Sequence, residues 1–195
     1  MLSIALATAQ AITFCVRHEY HAVNTSSRVV NWVAVPGGGR LAILACPRGG
    51  ARLEDDLSGW REAGATVVLS LLTPSEIRWL KLAREKIICA RVGVEFLSLP
   101  IVDRGVPTAD PALAEMLAQC SAVLASRGSL LIHCRAGIGR SATIAAALLI
   151  GAGIPPSAAL AQLSEARGVA VPETDSQRDW IQNFWMTTNH RASNQ

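Results

Sequence analysis

The chain has few cysteines: five in 195 residues, irregularly spaced, too few for the framework that staples a small secreted domain. It also has no group of histidines, cysteines and carboxylates at metal-ligand spacing. Three of its four histidines, His18, His21 and His190, fall toward the ends, so a metal centre is not expected. Charge is thin as well. Charged residues make up 17% of the chain and the net charge is +3, from 18 Lys and Arg against 15 Asp and Glu, with no basic run interleaved with aromatics. That balance argues against a nucleic-acid partner. The opening MLSIALATAQAITF is apolar, but it lacks a basic flank and is interrupted by Ser3, Thr8 and Gln10. It is expected to act neither as a secretory leader nor as a stable membrane insertion. What is present is apolar residue: 50% of the chain, enough to bury one sizeable core.

One segment carries chemistry. Leu130 to Ser141 reads LLIHCRAGIGRS, an apolar run ending in His133 and Cys134, then a turn through two glycines, then Arg140 and Ser141. The apolar sequence from Ala142 to Ile150 follows as a buried helix, so the segment is strand, loop, helix. Backbone N–H groups of Arg135, Ala136, Gly137, Ile138 and Gly139 can curl around a tetrahedral oxyanion, because the glycines permit dihedrals and close approaches that other residues do not. The first turn of the helix adds unpaired N–H groups and its dipole. Arg140, six positions after the cysteine, can return over the loop and grip two oxygens with its planar fork. The same positive field favours a thiolate on Cys134, and the Ser141 hydroxyl is placed to donate to that sulfur. A nucleotide-binding loop of the GxxxxGK[ST] kind is excluded, since no lysine precedes Ser141.

These residues match the pattern HCxxGxxRS, and the segment resembles the signature of the cysteine-dependent protein tyrosine and dual-specificity phosphatases. The resemblance implies metal-independent phosphomonoester hydrolysis with no cofactor, in which Cys134 attacks phosphorus and Arg140 stabilises the transferring group. Arg135, Ala136, Gly137, Ile138, Gly139 and Arg140 are then the phosphate-binding residues. The leaving oxygen needs a proton, and the loop after the apolar run at Phe96, PIVDRGVP, resembles the acid loop of the kinase-associated phosphatase-like subgroup. Asp103 is therefore the expected general acid, and the base when water attacks the phosphocysteine. A crossover helix over roughly Asp110 to Ser126 would bring Asp103 and Cys134 to one edge of a sheet. Asp110, followed by Pro111, reads instead as that helix's N-cap. His133 is read as a supporting residue that donates to neighbouring backbone or polar groups and fixes the loop. Gln177 stands where tyrosine phosphatases carry a water-positioning glutamine, but VPETDSQ has Glu173 where the QTxxQ pattern has its first glutamine. The water-positioning role of Gln177 is thereby left open.

The rest of the chain organises around these loops. Trp32 to Val35 and Leu41 to Cys46 flank the PGGGR turn as a hairpin. Leu53 to Ala63 reads as a helix, Ala65 to Leu69 as a strand, and Thr73, Pro74 and Glu76 as a capped helix start continuing through Leu82 toward Cys89. Val94 to Leu99 is a strand, and helices follow over Ser157 to Ala166 and about Ser176 to Thr187. Alternating strands and helices predict an α/β fold with a central, mostly parallel sheet flanked by helices, like that of dual-specificity phosphatases. The resemblance spans about Val33 to Trp185. We divide the chain into an N-terminal extension over 1–30, a single phosphatase domain over 31–188, and a flexible tail over 189–195.

The expected partner is a phosphorylated protein. The chain lacks an inserted tyrosine-recognition loop, so a shallow pocket is expected, open to phosphotyrosine and also to phosphoserine and phosphothreonine. Two alternatives stay open: a catalytically weak phosphoprotein-binding module, and a phosphatase for a non-protein phosphate such as a phosphoinositide. A working thiolate calls for a reducing compartment, so a cytoplasmic location is expected. Cys46 or Cys89, if nearby, would be candidates to cross-link Cys134 on oxidation. The PRGG turn at Pro47 to Gly50 is a candidate border of the site.

Overall fold

A computed structural model describes residues 29–192 of the chain. Most of the proposed N-terminal extension, with His18 and His21, and residues 193–195 of the proposed tail lie outside the described residues.

Five strands form one sheet: β1 (Val33–Ala34), β2 (Arg40–Ala45), β3 (Val67–Ser70), β4 (Glu95–Ser98) and β5 (Ser129–Cys134), in the order β1-β2-β5-β3-β4. The pairing of β1 with β2 is antiparallel, across the glycine turn, and the other three pairings are parallel. This is the mostly parallel sheet that the alternating pattern predicted. β5 lies at the centre with every residue buried, as an apolar run between two parallel neighbours requires. Its register sets His133 opposite Leu44 on one side and Ser70 on the other, and Cys134 opposite Ala45.

Helices cover both faces. α1 (Leu53–Glu62), α2 (Pro74–Trp79) and α3 (Glu85–Arg91) precede β4, and α4 (Pro111–Ala125), α5 (Arg140–Gly151), α6 (Pro156–Arg167) and α7 (Asp175–Ala192) complete the chain. One apolar cluster, with Leu53, Leu57, Trp60, Ile88 and Cys89, packs α1 and α3 on one face; the other, with Leu113, Leu124, Ile144, Leu148, Leu163 and Ile181, packs α4 to α7 on the opposite face. α5 is buried from Arg140 to Ile150, walled by α4, α6 and α7, which explains why its sequence carries no polar stripe. The helix that begins the signature loop's exit is thus a fixed post.

The sequence reading of one long helix from Thr73 toward Cys89 is corrected. The helix stops after Trp79, Lys81 turns into the left-handed region at φ 58°, and α3 starts afresh at Glu85. The break lets Leu82 turn inward to near-complete burial, with its N–H on the Ile77 carbonyl, while the Lys81 carbonyl accepts from Gly50 of the PRGG turn. A continuous helix would leave Leu82 without that pocket. At the other end α7 runs on to Ala192, past Thr187, so residues 189–192 are helical where the sequence reading set a tail.

Candidate active site

The site forms where β5, the α2 start, the loop after β4 and the start of α7 meet at the C-terminal edge of the sheet. Cys134 ends β5 and is 3% exposed. The chain then folds back so that the Gly137 N–H points at Cys134 Sγ, 3.3 Å away, and Ser141 Oγ lies 3.5 Å from the same sulfur. Gly137 has φ 73°, and a Cβ there would strike the Leu44 and Ala45 backbone; glycine is required on both counts. The N–H groups of Arg135, Ala136, Ile138 and Gly139 donate to no carbonyl among the described residues. Donors so arranged suit an oxyanion. Arg167 of α6, which the sequence reading missed, holds this loop from outside by donating to the carbonyls of Ala136 and Gly137 at 3.0 and 3.1 Å.

Arg140 opens α5 and is almost wholly buried. Its fork is claimed by Glu76: Nη1 donates to Oε2 at 2.9 Å and Nη2 to Oε1 at 2.8 Å, with Nη1 also on the Ile101 carbonyl at 2.9 Å. The capping box predicted at Thr73 is present, so Glu76 also accepts from the Thr73 N–H and hydroxyl, both at 2.9 Å. Burial works to raise the Glu76 carboxyl, but the Arg140 hydrogen bonds, helped by those from Thr73, outweigh it and leave the group at about 2. Burial likewise opposes the Arg140 charge, and the Glu76 hydrogen bonds overcome it, raising the guanidinium above its ordinary value. Sequence reading found Glu76 as a cap and not as the arginine's partner.

Asp103 stands opposite. Its Oδ1 accepts from Arg140 Nη2 at 2.9 Å, and its Oδ2 lies 2.9 Å from Arg135 Nη2, so the carboxylate spans the two arginines of the signature loop. The side chain is one-third exposed and Arg135 about half, whereas Cys134 is buried. Asp110 caps α4 through the Leu113 N–H at 2.9 Å, with Pro111 first in the helix, as read from the sequence.

His133 is fully buried on the opposite face of the sheet from Cys134. Its expected partners are backbone or polar groups nearby; the polar group it meets is the carboxylate of Glu85, buried on α3, at 2.9 Å, a close contact without hydrogen-bond alignment, and beside it lies the tilted ring of Trp60 at 5.7 Å. Gln177 is also fully buried. Its Nε2 donates to the Gly105 carbonyl at 3.0 Å and its Oε1 accepts from Thr174 N–H at 3.2 Å. Arg104, next to Asp103, pairs with Glu173 at 3.1 Å. Cys46, the residue before the PRGG turn, donates its N–H to the Arg135 carbonyl at 3.3 Å, and within the turn Arg48 is anchored on buried Asp56. Cys89 sits in the apolar cluster on the far face, where burial, with Glu85 adding to it, pushes its thiol up to about 12. It is not placed to cross-link Cys134. An apolar groove of about 700 Å³ between α4 and α7 shares no residue with this constellation; donors and charge locate the site, not cavity size.

The family model described as "PTP-SAK: Swiss Army Knife protein, DSP-PTPase phosphatase domain" matches residues 27–187. Among solved structures, a kinase associated phosphatase (KAP) carrying serine for its catalytic-site cysteine superposes with a TM-score of 0.73 at 21% identity, over 83% of this chain and 96% of that one. PTPMT1 in complex with PI(5)P gives 0.64 at 24% identity, over 83% and 99%. Human DUSP28 gives 0.55 at 21% identity, over 82% and 99%. At these identities the likeness is one of fold. No curated protein sequence matches the chain.

Proposed function

The chain belongs to the PTP-SAK family of DSP-PTPase phosphatase domains, and from that premise we propose that it hydrolyses phosphomonoesters through a phosphocysteine on Cys134, without a metal. The observation that carries this reading is the convergence on one sheet edge of a sulfur, loop N–H groups that meet no backbone carbonyl among the described residues, the Arg140 fork and the Asp103 carboxylate. In the first step the Cys134 sulfur attacks phosphorus, the S–P bond forms, the ester P–O bond breaks, and Asp103 passes a proton to the leaving oxygen. Arg140 and the loop N–H groups meet the charge on the equatorial oxygens. The incoming phosphoryl group takes over the Arg140 Nη2 donor that Asp103 Oδ1 otherwise holds. In the second step water attacks, Asp103 accepts its proton, and the sulfur leaves with the Ser141 hydroxyl supporting it.

Phosphoproteins are the proposed substrates, phosphotyrosine first and phosphoserine and phosphothreonine with it, since Asp103 and Arg135 are partly exposed. A reducing, cytoplasmic setting suits the free thiol. A phosphoinositide substrate is the second reading, favoured by the fold likeness to PTPMT1 in complex with PI(5)P and by exposed Arg135. A non-catalytic binding module is disfavoured because Cys134, Arg140 and Asp103 are all in place. The test is hydrolysis of p-nitrophenyl phosphate and phenyl phosphate without metal by the parent, C134S and D103A. The parent should turn over both esters and C134S neither; an inactive parent at pH 5 to 8, or an active C134S, overturns the proposal. Phosphopeptides and inositol phosphates compared side by side then separate the two substrate classes.

A further inference from the structure

The loop into α7 makes two contacts with the acid loop that the mechanism above does not use. Gln177 donates from Nε2 to the Gly105 carbonyl, and Glu173 pairs through Oε1 with Arg104 Nη1. Both residues also lie against the signature loop: a Cβ built on Gly139 would come within 3.0 Å of both amide atoms of Gln177 and 3.1 Å of Glu173 Oε2. One short segment therefore touches the loop bearing the nucleophile and the loop bearing Asp103. Arg104 holds φ 60°, a left-handed conformation that residues with a side chain adopt rarely. Adjacent Gly105 is equally constrained, since a Cβ there would meet the Val102 carbonyl at 2.9 Å. The turn next to Asp103 is thus conformationally demanding, and residues 173–177 support it at Arg104 and Gly105.

The amide of Gln177 is occupied at both ends, by Gly105 and Thr174, and the side chain is fully buried. A group so engaged ties the acid loop to the start of α7 through one N–H of its amide and its carbonyl oxygen. Glu173 supplies a second tie, one that a neutral residue could not make as an ion pair.

We propose that Gln177 and Glu173 are positioning residues for Asp103, latching the acid loop against the signature loop so that the first, proton-donating step is the one they serve. This inference rests on the phosphatase reading. Loss of a well-buried amide hydrogen bond supports an effect of about five- to tenfold, and loss of a half-exposed ion pair about two- to fivefold.

The test compares phenyl phosphate, whose leaving group needs a proton, with p-nitrophenyl phosphate, whose leaving group scarcely does. Parent and D103A serve as controls: an inactive parent sinks the phosphatase reading, and an active parent whose D103A is unchanged on phenyl phosphate sinks the acid assignment, each separately from the latch. With both controls as expected, Gln177→Leu should lose about tenfold and Glu173→Ala about threefold on phenyl phosphate, with less than about a twofold change on p-nitrophenyl phosphate. The double variant R104E/E173R should recover the phenyl phosphate rate that either single reversal loses, which a general loss of packing would not produce and which remains readable if Gln177→Leu fails to fold. Equal losses on both esters with phosphocysteine accumulating in quenched reactions would overturn the proposal, by putting the segment in the second step. So would single reversals with the parent's rate on phenyl phosphate.

Discussion

Replacing Glu76 with glutamine tests the part of the site that links fold to chemistry. The carboxylate accepts two hydrogen bonds from Arg140 and two from Thr73, and an amide in its place turns an NH2 group toward a buried guanidinium. Removing one partner of a buried pair costs on the order of 3–5 kcal/mol. An independent figure comes from titration: a carboxyl lowered from 4.5 to about 2 corresponds to about 3 kcal/mol at 1.36 kcal/mol per pH unit. Glu76 is 14% exposed, so solvent screens part of this, and about 2–3 kcal/mol is the expected loss at pH 7. Because the folded value lies below the unfolded one, the stabilisation is complete above about pH 4.5 and disappears as pH falls toward about 2. By pH 3 about 2 kcal/mol of it should be gone. Urea unfolding of parent and E76Q at pH 7, 5, 4 and 3 measures this directly. The difference between them should be flat from pH 7 to 5 and narrow below. Equal stability at pH 7, or a difference that does not change down to pH 3, would refute the assignment of Glu76 as the Arg140 anchor. At pH 7 E76Q should also lose about tenfold in kcat/KM on p-nitrophenyl phosphate, through a fork no longer held in place.

Three further outcomes follow from the same geometry. Ser141→Ala should slow breakdown of the phosphocysteine more than its formation, seen as a larger burst and a slower steady state, because the hydroxyl 3.5 Å from the sulfur supports the departing thiolate. Cys89 and Cys120 should resist alkylation in the native protein at pH 8, since burial, with Glu85 and Glu95 adding to it respectively, raises each thiol to about 12; peptide mapping after iodoacetamide reads this. Arg167→Met should lower phosphate affinity several-fold with little change in the acid-dependent step, because that arginine holds the Ala136 and Gly137 carbonyls from outside the cradle, and competitive inhibition by inorganic phosphate measures it.

The shape of the loop from Cys134 to Ser141 was legible because its demands are local: Cys134, Gly137, Gly139, Arg140 and Ser141 lie within eight residues, and each spacing has a backbone reason. The caps at Thr73 and Asp110 were legible for the same cause. What escaped depends on crossings between distant segments. Glu76 reaches Arg140 from 64 residues away and Arg167 reaches Gly137 from 30, and neither approach has a periodic trace in the sequence. The break at Lys81 was hidden because Leu80 and Leu82 continue a helical pattern; it is fixed by the PRGG turn docking on the Lys81 carbonyl. His133 could be placed on a buried strand, but its meeting with Glu85 required the restart of α3, which the single-helix reading had erased.

The central claim is that Cys134 carries the phosphoryl group during turnover. Rapid acid quenching of the parent with p-nitrophenyl phosphate at pH 6, followed by peptide mass spectrometry, tests it most directly. The account predicts one phosphoryl group on the peptide that contains Cys134 and none in C134S. A phosphoryl group on any other residue, or turnover that persists in C134S, would contradict it.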